Sequence, residues 1–316
     1  MKIAMISSWH VHAHGYANDF KAMPDCDVVA VWDENTEAGK AWAEELGCAF
    51  IENYDDLLAD ANIDGVVISS PTNQHADLII KAANAGKHIF TEKVLAIGVA
   101  DALKIKAAVV ENGVRFAISF PHRCRADLLL AKQMQDSGAL GEITYARVRN
   151  AHNGSLGNWL PPHFYDKTQC GGGAMIDLGA HTIYLLEWFM GMPTSVTSTF
   201  TNFTPRAVED NAVTVLGYPN GAIGVAETSF VSVHTPFTVE LGGTKGTLLV
   251  RDGVTYATEA TGGKWVTAGE QEYPAPLPNA QRQWVDAFHL GKDIELGIDL
   301  AVSLTEVMAR AYESIV

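Results

Sequence analysis

The chain has 316 residues, 47% hydrophobic and only 19% charged, which excludes a largely disordered protein and leaves room for two well-filled domains. A formal net charge of −15 excludes a basic phosphate-binding surface, so neither nucleic acid nor an anionic membrane is expected as a partner. No apolar run approaches the roughly 18–20 residues of a spanning helix. The opening MKIAMISS reads as a strand and not as a signal peptide. Four scattered cysteines (Cys26, Cys48, Cys124, Cys170) form no C-x-x-C pair and read as buried thiols of a reduced, cytoplasmic protein.

In chain order, six short apolar runs come first: KIAMI (2–6), VVAVW (28–32), AFI (49–51), GVVIS (65–69), HIFTE (88–92) and RFAIS (115–119). Helical patterns at 36–47, 75–87 and 99–113 lie between them, several ending in glycine, a common helix stop. Continuous apolar strands alternating with amphipathic helices predict a doubly wound parallel sheet, the α/β Rossmann fold, over residues 1–121. After Pro121 the pattern changes. A helix (126–137) and a strand (143–151) precede an irregular stretch rich in Asn, Pro and Trp, and then GGGAMIDLGAHTIYLLEWFMG (171–191) leads into a helix. From 194 onward strands carry hairpin signals at YPNGA (218–222), GGTKG (242–246) and ATGGK (260–264), and helices return at 279–291 and 299–315. This predicts an α+β domain over 122–316, built on a large, mainly antiparallel sheet, with the last helix a candidate to pack back on the first domain.

The turn after the first strand, ISSWHVHAHGYA (6–17), departs from the G-x-G-x-x-G of dinucleotide-binding domains: the three glycine positions fall on Ser7, Trp9 and His12. Glycines permit a tight turn and close approach of the pyrophosphate, but the donors are backbone N–H groups at the helix start, which any residue except proline supplies. A wider turn can therefore still bind a dinucleotide, with Ser7, Ser8, His10 and His12 as candidate contacts. Extended backbone would put His10, His12 and His14 on one face, whereas a helix beginning near His10 would pair only His10 with His14. Three readings stay open for these histidines: contact with cofactor or substrate, packing, or metal. No acidic or cysteine partner lies nearby in the sequence, and no metal is assigned.

Asp33 ends the second strand, where a carboxylate accepts hydrogen bonds from the adenosine ribose and repels a 2′-phosphate. That favours NAD over NADP; a helix N-cap or turn aspartate is the other reading. Ser70, Pro71, Thr72, Asn73 and His75 follow the fourth strand, and Glu92 and Lys93 end the fifth, all on the ligand-binding side of such a sheet. A lysine there can polarise a substrate oxygen. Farther on, Asp177 and His181 stand four residues apart on an apolar helix, one as a substrate holder and the other suited to proton exchange near neutral pH. His152, Asn153, Trp159 and His163 supply the polar groups and aromatic face that a polyol pocket needs.

TEKV after AGKHIF, the SPTNQH loop, GGGAMIDLGAH and DNAVTVLGYPNGAIG (210–224) together resemble the glucose–fructose oxidoreductase / inositol dehydrogenase / MocA family, over essentially the full chain. The resemblance implies a Rossmann domain, NAD(P)-linked hydride transfer on sugars, inositols or related polyols, and homodimers or homotetramers through the open sheet of the second domain. It places Lys93 as the active-site lysine, Asp177 as the substrate-binding aspartate and His181 as the general acid/base. The family's E-K-P reads E-K-V here. Val94 replaces a proline that often carries a cis bond, and because a non-proline cis bond costs about 2.5–4 kcal/mol, a trans bond is expected. Two alternatives remain: a non-catalytic nucleotide- or sugar-sensing regulator on the same scaffold, and a metal-dependent hydrolase using His10, His12 and His14.

Overall fold

In the computed structural model, which describes Met1–Val316, six strands form the first sheet: β1 (Lys2–Ile6), β2 (Asp27–Trp32), β3 (Ala49–Phe50), β4 (Gly65–Ile68), β5 (His88–Thr91) and β6 (Phe116–Ile118). All pair in parallel, in the order β3-β2-β1-β4-β5-β6. Helices α1 (Ala13–Lys21), α2 (Thr36–Leu46), α3 (Tyr54–Ala59), α4 (His75–Asn84) and α5 (Val99–Glu111) make the crossovers. The central strands are apolar because both faces are covered; β4 is buried at every position. Asn35 caps α2 by accepting from Ala38 N–H at 3.1 Å, and Gly47 ends that helix in a left-handed conformation. The strand order reverses between β1 and β4, and the turns leaving their C-terminal ends flank that switch point.

The chain divides into two units, Met1–Ser119 with Pro278–Thr305, and Phe120–Leu277 with Glu306–Val316. Residues 278–305 fall in the predicted second domain by sequence, yet they pack within the first unit. Trp284 is fully buried there, 5.7 Å from the Phe20 ring and 6.1 Å from Phe90. Arg282 grips Asp25 through two 2.8 Å hydrogen bonds, a charge-assisted fork that holds the Asp25 carboxyl down at about 2.

The second unit contains α6 (Ala126–Asp136), β7 (Ile143–Ala151), α7 (Lys167–Cys170), α8 (Ala180–Met190) and the strands β8 (Ser195–Thr201), β9 (Asn211–Gly217), β10 (Ile223–Ser229), β11 (Thr238–Gly243), β12 (Gly246–Val250), β13 (Val254–Thr258) and β14 (Val266–Thr267). They form one sheet ordered β14-β13-β12-β11-β7-β10-β9-β8. It is antiparallel except where β7 meets β10 in parallel. One face, with Ala146, Val148, Leu216, Ala226 and Leu241, is buried and packs against the apolar α8. The other face is open. It carries Tyr145, Val213, Val215 and Ile223, all more than a third exposed, beside ion pairs from Arg149 to Glu227 (2.7 Å) and Arg147 to Glu240 (3.2 Å). The chain closes with α9 (Ala280–Leu290) and α10 (Ile298–Glu313), the latter running from the first unit into the second.

Candidate active site

In the first unit the turn 7–12 separates β1 from α1. Ser7 occupies the first glycine position and takes the left-handed backbone a glycine would adopt there (φ 66°). Its N–H donates to Trp32 O at 2.7 Å and its Oγ accepts from Trp9 N–H at 3.2 Å. The next residue joins the turn to β2: Ser8 N–H and Ser8 Oγ both donate to Asp33 Oδ2, at 2.8 and 2.7 Å. Asp33 is not the helix cap, since Asn35 is; its Oδ1 instead accepts Asn35 N–H at 2.8 Å. A carboxylate offers about four lone-pair sites, so these three bonds leave Oδ1 one direction for a ribose hydroxyl. The N-terminus of α1 has no side-chain cap, which leaves its amides and dipole for phosphate oxygens. The residues therefore fit a dinucleotide without the glycines. Replacing Asp33 with alanine is expected to weaken NADH binding by about tenfold or more, the worth of a hydrogen bond to a charged group. Fluorescence titration of the nucleotide checks this, and an unchanged affinity would assign Asp33 to the turn alone.

Glu92 is the hub on the other side. It is 2% exposed, and its Oε2 faces His12 Nδ1 at 2.9 Å and His10 Nδ1 at 3.7 Å. Tyr16 OH, from α1, donates to the same oxygen and lies 2.8 Å from Ser119 Oγ beyond β6. Burial and the neighbouring carboxylate push the Tyr16 phenol well up, so it remains a donor. For Glu92, burial alone would raise the carboxyl. Positive charge on His10 and His12 when they are protonated, the His12 hydrogen bond and the Lys93 charge outweigh it and hold the group well below the usual carboxylate range.

The histidines follow neither spacing rule expected from the sequence. Because α1 begins at Ala13 and His12 is its N-cap, His10 and His12 converge, with ring centroids 4.6 Å apart. His14 turns away to Glu45 (3.5 Å) and the Trp42 ring.

The Lys93–Val94 peptide bond is cis, where a trans bond is expected from the sequence. Both residues are fixed by their surroundings: Lys93 N–H donates to Glu92 Oε1 at 2.8 Å, and Val94 O accepts from His75 Nδ1 at 3.0 Å. The other ring nitrogen of His75 faces Ser70 O at 3.1 Å. The imidazole is buried and its basicity lowered by that burial; the neutral ring has one N–H to give to these carbonyls, and His75 packs between the 70–75 and 93–95 segments. Of its predicted neighbours, Ser70, Pro71 and Thr72 are buried and Asn73 is exposed. Lys93 itself is 5% exposed.

In the second unit, Asp177 lies within a π-helical turn (Met175–Gly179) and His181 in the first turn of α8. Single wide turns of this kind recur at functional sites. His181 is buried, with Nδ1 2.9 Å from Tyr184 OH. That hydroxyl accepts His122 N–H at 3.3 Å, and the Tyr184 ring stacks on Phe120 at 4.4 Å. His122 meets His181 edge-on at 4.9 Å and is itself stacked on Phe237.

The glycines before the π turn are dictated by close approach. A Cβ on Gly173 would lie 2.1 Å from Glu209 O, while Glu209 Oε1 accepts Gly173 N–H, Met175 N–H and Tyr312 OH at 2.9, 3.0 and 2.6 Å. Gly173→Ala is expected to cost about 1–3 kcal/mol of unfolding free energy, as overpacking does; a urea melt with an unchanged midpoint would contradict this account of the turn.

His152, Asn153 and Trp159 are brought together: His152 stacks on Phe230 (5.0 Å) and tilts against Trp159 (4.6 Å), whose Nε1–H donates to Asn153 Oδ1 at 3.0 Å. Trp159 is half exposed. His163 sits on the next turn, Pro162–Tyr165, against Phe164. The sequence reading missed Tyr16, Ser119, Tyr184, His122 and Glu209. Tyr184 carried a signal, standing three residues after His181 on the same helix face.

A parallel six-stranded sheet of doubly wound order, whose strand ends suit a dinucleotide, and a second, mainly antiparallel sheet with one open face give the chain a two-domain, α/β plus α+β architecture. Residues 2–120 match the oxidoreductase family with an NAD-binding Rossmann fold, and residues 128–249 match the GFO/IDH/MocA C-terminal domain. Scyllo-inositol 2-dehydrogenase (NAD(+)) of Bacillus subtilis (strain 168) is 30% identical over 237 residues, 72% of this chain and 67% of the relative. The 1,5-anhydro-D-fructose reductase of Ensifer adhaerens is 26% identical over 271 residues, 83% and 80% of the two chains. Among solved structures, GenD2 from gentamicin A biosynthesis, in complex with NAD, is similar with a TM-score of 0.85 at 26% identity, covering 99% of this chain and 93% of that one. The chain belongs to the GFO/IDH/MocA family and is an NAD-dependent oxidoreductase.

Proposed function

We propose that the protein oxidises or reduces a CH–OH centre of a sugar, inositol or related polyol, with His181 as general acid/base, Lys93 as the electrostatic partner of the reacting oxygen and Asp177 as a substrate holder. When bound, the nucleotide would accept the hydride as NAD in the oxidation or donate it as NADH in the reduction. The observation that carries the reading is the setting of His181: an imidazole buried on an apolar helix, with Nδ1 engaged by a hydroxyl that can both donate and accept. With the proton on Nδ1 donated to Tyr184 OH, Nε2 carries the lone pair when the ring is neutral and a proton when it is charged, so the same contact holds at both ends of a proton transfer. That fixes the ring and leaves the exchange with substrate to Nε2. A lysine ammonium stabilises an alkoxide as charge develops on it. Asp177 can accept from a neighbouring hydroxyl, and Trp159 with His152 and Asn153 offers a half-exposed aromatic face with polar groups, the surface a polyol ring binds.

The relatives named for scyllo-inositol and anhydrofructose support this substrate class. Purified protein assayed with NAD against a panel of inositols and sugars tests it. Reduction of NAD by at least one polyol supports the proposal. Tight NADH binding with no turnover on any of them would favour the nucleotide-sensing alternative. The open sheet face with Tyr145, Val213, Val215 and Ile223 supports assembly as a homodimer or homotetramer, and four free cysteines suit a reducing, cytoplasmic setting.

A further inference from the structure

His10, His12 and Glu92 form a cluster to which the proposed proton and charge transfers assign no step. The sequence holds no acidic residue near the histidines, but the fold brings Glu92 to them from 80 residues away. One ligand atom from each lies within 4.8 Å of the others. We infer that this triad is a binding site for a zinc-class divalent transition metal, with Nδ1 of His10, Nδ1 of His12 and Oε2 of Glu92 as ligands.

Three features carry the inference. The first is spacing. Zinc–nitrogen and zinc–oxygen bonds of about 2.0–2.1 Å at a tetrahedral angle put neighbouring ligand atoms roughly 3.3 Å apart, and the two carboxylate–imidazole separations, 2.9 and 3.7 Å, bracket that value. The longer one exceeds a hydrogen bond, so His10 is directed at the carboxylate without being joined to it in that way. The second is ligand preparation. His10 Nδ1 accepts His12 N–H at 3.2 Å, which fixes the tautomer with a lone pair on that atom; metal binding exchanges this weak bond for coordination. Glu92 Oε1 is held by Lys93 N–H and Oε2 is approached by the Tyr16 phenol, the kind of supporting hydrogen bonds that orient a ligating carboxylate. The third is access. His10 and Glu92 are buried, whereas the His12 side chain is 49% exposed, giving an ion a route in and a side open to solvent for a fourth ligand. Two imidazoles and one carboxylate select zinc, cobalt or a similar ion over magnesium or calcium, which require more oxygen ligands.

The test is direct binding to the full chain, read separately from turnover. Protein dialysed against chelator is titrated with Zn2+ by calorimetry and with Co2+ by visible absorption. Wild type and His14→Ala, whose side chain points to Glu45, are expected to bind about one equivalent, with the intense d–d bands of a low-coordinate cobalt site. His12→Ala and Glu92→Gln are expected to weaken binding by at least about tenfold, and Mg2+ is expected to produce no saturable signal. Absence of saturable Zn2+ binding, equal binding by the His12→Ala protein, or equal binding of Mg2+ would overturn the assignment. If Glu92→Gln does not fold, His12→Ala, a change at an exposed side chain, decides alone. NADH titration of the same samples reports the cofactor site independently.

Discussion

Lys93→Met is expected to lower turnover by about 10²–10³-fold at saturating substrate, while the affinity for NADH changes by no more than about twofold. Methionine keeps most of the length and apolar stem of lysine and removes only the ammonium. The loss therefore measures transition-state charge stabilisation, and its size is that of removing one donor aimed at a developing oxyanion. The substitution leaves the backbone contact intact, since it is Lys93 N–H, not the side chain, that binds Glu92 Oε1. Steady-state kinetics by nicotinamide absorbance, paired with fluorescence titration of NADH, separates the two effects. Survival of turnover at saturation with loss of NADH binding would place Lys93 in the cofactor site and remove it from the chemistry.

The second large effect is expected at His181. His181→Gln should reduce kcat by about 10²–10⁴-fold, the usual worth of a positioned general acid/base. It should also abolish the limb of the pH–rate profile along which oxidation speeds up as the base loses its proton. Tyr184→Phe tests the arrangement from the other side. It deletes the hydroxyl 2.9 Å from Nδ1 and keeps the ring that stacks on Phe120, so it should displace that limb and lower kcat less than His181→Gln. An unaltered pH profile in His181→Gln would show that another group moves the proton.

The sequence made the first sheet legible because its strands are buried on both faces and read as unbroken apolar runs; β1, β4, β5 and β6 all fall within the predicted runs. The second sheet was legible in kind but not in one detail. Alternation along β7 and β10 says that one face is open, but not that these two strands run parallel, because side-chain alternation is the same in either direction. The last helix was a candidate from the sequence for packing back on the first domain, and its first half does so; that α9 returns as well was hidden, because Trp284 on an amphipathic helix identifies a buried face without saying which core receives it.

At the site, single positions were readable and partnerships were not. Ser7 could be matched to a glycine position by counting, whereas its left-handed backbone depends on where β1 stops and α1 starts. His10, His12 and Glu92 were each candidate cofactor contacts. Their convergence rests on a pairing across 80 residues and on a helix that begins at Ala13, and local spacing rules that assumed a uniform strand or helix grouped His14 with them. The cis bond after Lys93 ran against the intrinsic preference of a non-proline peptide, which is all a sequence displays at that position.

The central claim is NAD-linked oxidation of a polyol, and the most direct measurement compares NAD with NADP across a panel of inositols and sugars by nicotinamide absorbance. The account predicts that NAD is reduced with at least one polyol and that NADP is used far less well, because the Asp33 carboxylate opposes a 2′-phosphate. Equal use of NADP, or no reduction of either nucleotide by any polyol while NADH binds tightly, would contradict it.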